Sequence, residues 1–553
     1  MPGGQMNVVF TGQADQILIG EPKKTFWTYS YVQYSNFGKQ HFRIDFDGQR
    51  DLRLTEPSKF TFNMPRYGDL ISDLFVAVTL PNIWSPIYQP NANNGNQWAS
   101  YDFKWIKDLG AQIIQEIEIT CGNFTLAKYS GNYLSLMVKR DFTAENKAKF
   151  NTMTGNVPEL NDPANIYNRT NSYPSAFYTS NQAGAEPSIR GRTLYIPINA
   201  WFTLDDRCSF PMVALQYNVL TVNVTIRPIQ ELFQCRDVYD PTNNYPYVQP
   251  DFNQSQFQMY RFLQTPPGVN IDMTSYQNQT VNWNADVHLE ATYVFLSDAE
   301  QKKFAMEEHA YLVKDVYEYQ FQNVTGSQRV ELKSTGLVTS WMFIFQRNDV
   351  NLRNEWSNYT NWPYDTLPDN IIIAPLTNTD PNFLSSVTGP STNPNGYNTG
   401  YYISGDFSPN NQKNILLTGA ILLDGDYREL DLPTGIFQYL EKFKANSGFP
   451  DASEDGIYCY NFCLNSDPLV RQPSGAMNLT KFKRIQIGFT TFVPPIDPAL
   501  ANFNIVCSAD GVPIAIQKNS WQLYDYNYNL TVYEERYNVI TFIGGYCGAM
   551  FAR

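Results

Sequence analysis

Apolar and polar positions alternate along much of the chain. In "LTVNVTI", Leu220, Val222, Val224 and Ile226 point one way and Thr221, Asn223 and Thr225 the other, the two-residue period of a half-buried strand. The same alternation carries Ile117, Ile119 and Cys121, then Leu194, Ile196 and Ile198, then Val287, Leu289, Ala291, Tyr293 and Phe295, and finally Ile485, Ile487 and Phe489. Helical spacing is confined to short stretches. One holds Leu134, Met137 and Val138, and one follows Ser297 with Glu300 as its capping-box partner. A third, "GIFQYLEKFKANSG", places Phe437, Leu440 and Phe443 on one side with Gly448 as its stop. Many short strands and few helices predict a sandwich or barrel.

One turn-into-strand is written twice. Pro211, Ala214 and Leu215 lead into the Leu220 strand, and Pro473, Ala476 and Met477 lead into the Ile485 strand. Upstream, "IEITCGNFTLAKYSGNYL" and "AILLDGDYRELDLPTGIF" both run strand, Gly, Asn or Asp, aromatic, strand, which makes Gly122 and Gly425 matching turn glycines. Gly122 to Pro211 spans 89 residues and Gly425 to Pro473 spans 48, so the first copy carries an excess of about 40. The stretch from Asn151 to Gly191, rich in Asn, Pro and Ser and without periodicity, accommodates it as a surface loop. The second copy has its own loop-like excess from about Asn348 to Lys413. Tandem β domains follow, and their boundary is expected between Arg227 and Val281, where strand signals lapse.

At 553 residues the chain exceeds one ordinary core. Charged residues are 17% and aromatics 15%, with a formal net charge of -13, and Lys and Arg are scattered rather than clustered. Phosphate neutralisation has no surface to work from, so direct nucleic-acid binding is not expected. The start "MPGGQMNVVFTGQADQILIG" lacks the basic and apolar run of a secretion signal, and no stretch approaches the roughly 18 apolar residues of a spanning helix, so a soluble, unsecreted chain is expected. Seven cysteines, an odd number without a C-x-x-C pair, read as reduced and mostly buried thiols. Without a secretion signal the nine N-x-S/T sequons read mostly as accidents of an Asn-rich chain.

Catalytic and metal patterns are missing. His41, His288 and His309 have no ligand spacing, and His288 alternates onto the polar, solvated face of its strand. Asp45 to Gly48 and Leu423 to Tyr427 read as turns rather than calcium loops, and "GGYCG" at Gly544 to Gly548 as a bulge or tight turn. The 53 acidic residues single out no facing pair for glycoside hydrolysis. No catalytic, cofactor-binding or metal-ligating residue is assigned, and no cofactor is expected.

Separated motifs then resemble one family. In "GEPKKTFWTYSYVQYSNF" the carriers are Gly20, Pro22, Thr25, Phe26, Tyr31, Tyr34, Asn36 and Phe37, and in "RYGDLISDLFV" they are Gly68, Asp69, Leu70 and Asp73. With "FPMVALQYN", "YVFLSDAEQKKFA", "RQPSGAMNLTKF" and "YNVITFIGGYCGAMFA", these are similar to major capsid proteins of the nucleocytoplasmic large DNA viruses, of the chlorella-virus and iridovirus type. The chain departs from them at Val32 and Gln33, where the family has a basic pair, and at Glu21 and Ser35. The resemblance implies an all-β fold: two tandem eight-stranded jelly rolls (a double jelly roll) with short helical insertions and long surface loops. The expected organisation is an N-terminal segment 1–26, a first roll 27–228, a connection 229–280 and a second roll 281–553.

The implied function is structural rather than enzymatic. Homotrimers would form pseudo-hexagonal capsomers that tile an icosahedral shell, assembled in the host-cell cytoplasm. The implied partners are the chain itself, neighbouring capsomers, and minor capsid proteins and an internal membrane at the inner face, with glycans on outer loops and no direct nucleic acid. The two long insertions belong on the outer crown and the segment through about Phe37 at the inner end. A carbohydrate-binding or glycan-cleaving β-sandwich is the alternative from another class, and a minor capsid or spike protein the alternative within the family.

Overall fold

Strand Leu220–Ile226 buries all four of its alternating apolar side chains to 1% exposure or less. Each such burial stabilises the fold by about 1.5–3 kcal/mol. The computed structural model describes residues 3–551 except 47, 49–50, 89–98, 171, 177–185, 241–244, 269–275, 366–411, 446–455, 471, 495, 497–503, 508–512 and 518–520. The strand pairs on one side with Ser58–Asn63 and on the other with Ile114–Cys121, which in turn pairs with Phe124–Tyr129. Facing this sheet is a second one. There Phe37–Ile44 pairs with His288–Leu296, His288–Leu296 with Leu70–Thr79, and Leu70–Thr79 with Thr193–Pro197.

The second half repeats this connectivity strand for strand. One sheet runs His309–Phe321, Tyr528–Ile543, Leu337–Arg347, Ile457–Asn461, and the other Ser327–Leu332, Ile485–Thr491, Leu416–Leu423, Asp426–Pro433. All pairings are antiparallel, so the chain is all-β and each half is an eight-stranded jelly roll.

Gly122 and Gly425 occupy the same turn of the two rolls, with φ of 59° and 99°. The prolines are not equivalent. What repeats is a short bridge to the start of the central strand, Pro211 to Leu70 in one roll and Asn478 to Leu337 in the other, followed by a 3-10 turn at Met212–Ala214 and Leu479–Lys481. Backbone pairing defines this corner, and Pro473 lies upstream of it.

The expected boundary requires correction. His288–Leu296, placed by sequence in a second roll 281–553, is the last strand of the first roll, because its neighbours are Phe37–Ile44 and Leu70–Thr79. Residues 227–287 are therefore a loop within the first roll, and the connection is 297–308, containing helix Asp298–Met306. Alternation revealed the strand but could not reveal its partners. Ser297 precedes that helix as expected, without a side-chain capping bond.

The helix over Leu134, Met137 and Val138 spans Gly131–Asp141 with all three buried. Helices Ala144–Thr154 and Pro158–Asn161 enter the stretch read as loop. In "GIFQYLEKFKANSG", Ile436–Leu440 is a π-turn running into Glu441–Ala445, and Gly448 lies outside the described residues. Phe437 is buried there, but Leu440 and Phe443 are 49% and 68% exposed, contrary to the expected single apolar side.

Strand directions give each roll two different poles. Between strands Phe124–Tyr129 and Thr193–Pro197 the first roll has 63 residues where the second, between Asp426–Pro433 and Ile457–Asn461, has 23, matching the expected excess. That connection, the 348–415 connection and the 227–287 loop all leave strands at one pole. The junction of residues 3–36 with strand Phe37–Ile44, the two glycine turns and the 297–308 connection lie at the other. No residue of 3–36 is buried, and Phe26 and Trp27 are almost fully exposed.

Candidate functional site

The surfaces that join the two rolls are the candidate site. Helix Gly131–Asp141 leaves strand Phe124–Tyr129 directly, and the Ser130 hydroxyl accepts from the Tyr133 N–H at its start. Its apolar side completes the first core. The other side carries Arg140 and Asp141 into the seam between rolls, where both are 1% exposed.

Arg140 donates from Nη2 to Asp141 at 2.7 Å and to Glu535 of strand Tyr528–Ile543 at 2.5 Å. Tyr133 Oη and Ser340 Oγ donate to the two Glu535 oxygens, each at 2.8 Å, and Ser466 Oγ donates to Asp141 at 3.1 Å. Burial alone would raise the Glu535 carboxyl, but Arg140, with Lys314 behind it, outweighs burial and holds it below its ordinary value. A buried ion pair survives only when its remaining hydrogen-bonding capacity is satisfied, as it is here.

Each pole adds a clamp. At the long-loop pole Asn354 Nδ2 donates to the carbonyls of Gln230 and Phe233, both at 2.7 Å, and Tyr364 Oη to that of Tyr247 at 2.6 Å. Behind them Asp349 accepts from Arg347 at 2.7 Å and from Arg353 at 3.0 Å. Burial opposes ionisation of Asp349, yet these arginines hold its carboxyl well below the usual range. At the opposite pole the Gly545 carbonyl accepts from the N–H groups of Gln216 and Tyr217 at 2.9 and 3.3 Å, and Tyr217 stacks on Tyr546 at 4.8 Å. Asp69 of the "RYGDLISDLFV" motif accepts from Leu296 N–H at 2.8 Å and Gln301 Nε2 at 2.7 Å, tying the first roll to the connecting helix.

The histidines are all bound to protein groups. His41 shares a 3.0 Å hydrogen bond with Thr292, and His309 Nε2 one of 2.8 Å with the Phe304 carbonyl. His288 lies on the polar face as its alternation predicts, yet it is 6% exposed rather than solvated, enclosed by Asp286 and Glu290. Asp424 and Gly425 form the expected tight turn, and the Asp424 carboxylate accepts from Lys483 and Arg484 N–H at 2.7 and 2.8 Å. Of the 45–48 turn, Asp47 lies outside the described residues. Gly544 and Gly545 make the tight turn between Ile543 and Tyr546. Among the described residues no cluster of three His, Cys, Asp or Glu is placed to hold a metal ion, and no helix is long and apolar enough to cross a membrane.

Sequence reasoning missed Arg140, Glu535, Asp349 and Arg353. The run Glu534-Glu535-Arg536 inside an otherwise alternating strand was the available signal.

Residues 25–296 match the family described as "Major capsid protein N-terminus", ending at the last residue of the first roll. The major capsid protein of Paramecium bursaria Chlorella virus 1 is 22% identical across 100% of both chains, and that of Phaeocystis pouchetii virus 22% across 87% of this chain and 91% of its own. That of Chrysochromulina ericina virus is 26% identical over 57% of this chain, which spans only 52% of that relative. Among solved structures, the Faustovirus major capsid protein aligns with a TM-score of 0.59 at 12% identity, covering 93% of this chain and 92% of its own. The PBCV-1 virus capsid protein aligns with 0.56 at 18%, covering 96% and 100%. Two parallel, equivalent rolls fixed side by side make this a double jelly roll, the fold of the capsid proteins with which it aligns. The chain is thus similar to major capsid proteins of large DNA viruses along its length, and its first roll matches the N-terminal model of that family.

Proposed function

We propose that three copies of this chain close into a pseudo-hexagonal capsomer that tiles an icosahedral shell. One observation supports this most: equivalent surfaces of the two rolls are unequally covered. In the first roll, strand Phe124–Tyr129 and its following helix are covered by the outer face of the second roll's sheet, through Ser340, Tyr533 and Glu535. In the second roll the equivalent strand Asp426–Pro433 and its helix are open. Tyr427, Leu430, Tyr439 and Leu440 are 46–62% exposed there. The first roll's own outer sheet face is open too, with Phe37 at 58% and Tyr195 at 44%.

Repeating the roll-to-roll contact between chains sets the second roll of one copy on the first roll of the next. Six rolls then close a ring after three copies, a heterologous interface that closes rather than running into a fibre. Tyr439→Glu with Leu440→Glu tests this. The expected result is loss of the trimer with each chain still folded by circular dichroism; a trimer that survives the pair contradicts the reading.

The long-loop pole is the outer crown in this reading and the pole bearing residues 3–36 the inner one. The exposed apolar side chains of 3–36 suit an inner partner, a minor capsid protein or a membrane. Cytoplasmic assembly agrees with the free thiols of Cys121, Cys235, Cys459, Cys463 and Cys547. Asn168, Asn253 and Asn278, exposed sequon positions at the crown pole, are the places for glycans, and the intact mass of virion protein tests for them.

A further inference from the structure

We propose that Cys121 and Cys547 form a disulfide site that staples the first roll to the last hairpin of the second. Cys121 ends strand Ile114–Cys121 beside the Gly122 turn, and Cys547 sits in strand Tyr546–Ala549. The two residues, from opposite ends of the chain, meet around Asn218 and are 0% and 2% exposed: the Gly122 N–H beside Cys121 donates to the Val219 carbonyl at 3.0 Å, and the Asn218 amide reaches the Cys547 carbonyl.

The surrounding backbone holds them in register. Gln216 and Tyr217 donate to the Gly545 carbonyl at 2.9 and 3.3 Å, and Asn218 Nδ2 donates to the Cys547 carbonyl at 3.4 Å. Arg66, whose Nη2 donates to the carbonyls of Gln216 and Asn218 at 3.3 and 3.2 Å, supplies a positive charge nearby. The neighbouring Cys547 and Asn218 side chains and the Arg66 charge lower the Cys121 thiol from its ordinary value, while the Cys547 thiol is raised. By contrast, burial pushes the Cys459 thiol up to about 11 and raises Cys235 as well.

Both thiols are free, and closure needs an oxidant small enough for a buried site, for which hydrogen peroxide serves. The Cys121 thiolate attacks one peroxide oxygen, the O–O bond breaks, and one water leaves after protonation. The Cys547 sulfur then displaces the oxygen from the Cys121 sulfenic acid as a second water. Two thiols are oxidised to one disulfide, and one peroxide is reduced to two waters. Nothing closes in a reducing compartment, so the site acts only on particles exposed to oxidant.

The full-length assembled protein, treated with hydrogen peroxide, alkylated and digested without reductant, provides the test. The expected product is a linked peptide pair carrying Cys121 and Cys547, with Cys235 and Cys459 still alkylatable after denaturation. On a non-reducing denaturing gel the closed chain should run faster, and Cys547→Ser should abolish the shift. Recovering Cys121 and Cys547 on separate peptides, alkylated or oxidised to sulfinate, or linked to other cysteines, overturns the proposal whether or not the variant folds.

Discussion

Arg140 and Glu535 stand 395 residues apart, and their 2.5 Å contact locks one roll to the other. Removing one member of a buried pair leaves an uncompensated charge, so Arg140→Met should cost about 3–5 kcal/mol in denaturant unfolding, and Arg140→Met with Glu535→Leu less than the sum of the two single changes. Equal additivity would mean the pair is not coupled. Acid should act on the same carboxylates. Glu535 and Asp349 both have folded values below their unfolded ones, so their stabilisation is full above the unfolded values, near pH 4, and is lost as pH falls through the lower folded values. Thermal midpoints should therefore hold from pH 7 to about 5 as far as these groups act, then fall, and Glu535→Gln should start lower and fall less steeply. The charges at Glu534 to Arg536 stand in the sequence inside an apolar strand but went unread, because their partners are supplied only by tertiary packing.

Local chemistry made some elements legible. Gly122 and Gly425 could be matched because a two-residue hairpin turn demands positive φ, which glycine adopts without strain. A Cβ at Gly425 would meet nothing within 4 Å, so the cost of Gly425→Val is conformational, about 1–2 kcal/mol, and urea unfolding should read it. Where pairing rather than pattern decides, the reading failed. The last strand of the first roll lies after a 61-residue loop, 227–287, and nothing in its alternation says that it returns to Phe37–Ile44. Leu440 and Phe443 misled for another reason: their helical spacing is apolar, yet both are largely exposed in the single chain, on the face that the proposed capsomer would cover with the next copy. Asp69→Ala should free the connecting helix, seen as faster amide exchange over 298–306 with the roll strands unchanged. Unchanged exchange there would remove Asp69 from that role.

As a whole molecule the chain is a double jelly roll with unlike poles and open lateral faces. The all-β class and the duplication were legible because strand alternation and turn glycines are local signals. The side-by-side seating of the rolls was not, since it rests on the seam and the polar clamps. The central claim is that the open faces of one copy are covered by the next. Charges are only 17% of the chain and aromatics 15%, so the joint should rest on apolar burial, which salt barely weakens even where the Debye length falls to about 3 Å at 1 M. Light scattering of the purified chain in low and molar salt tests this most directly. The account predicts three times 63.4 kDa in both; a monomer at micromolar concentration in both would contradict it.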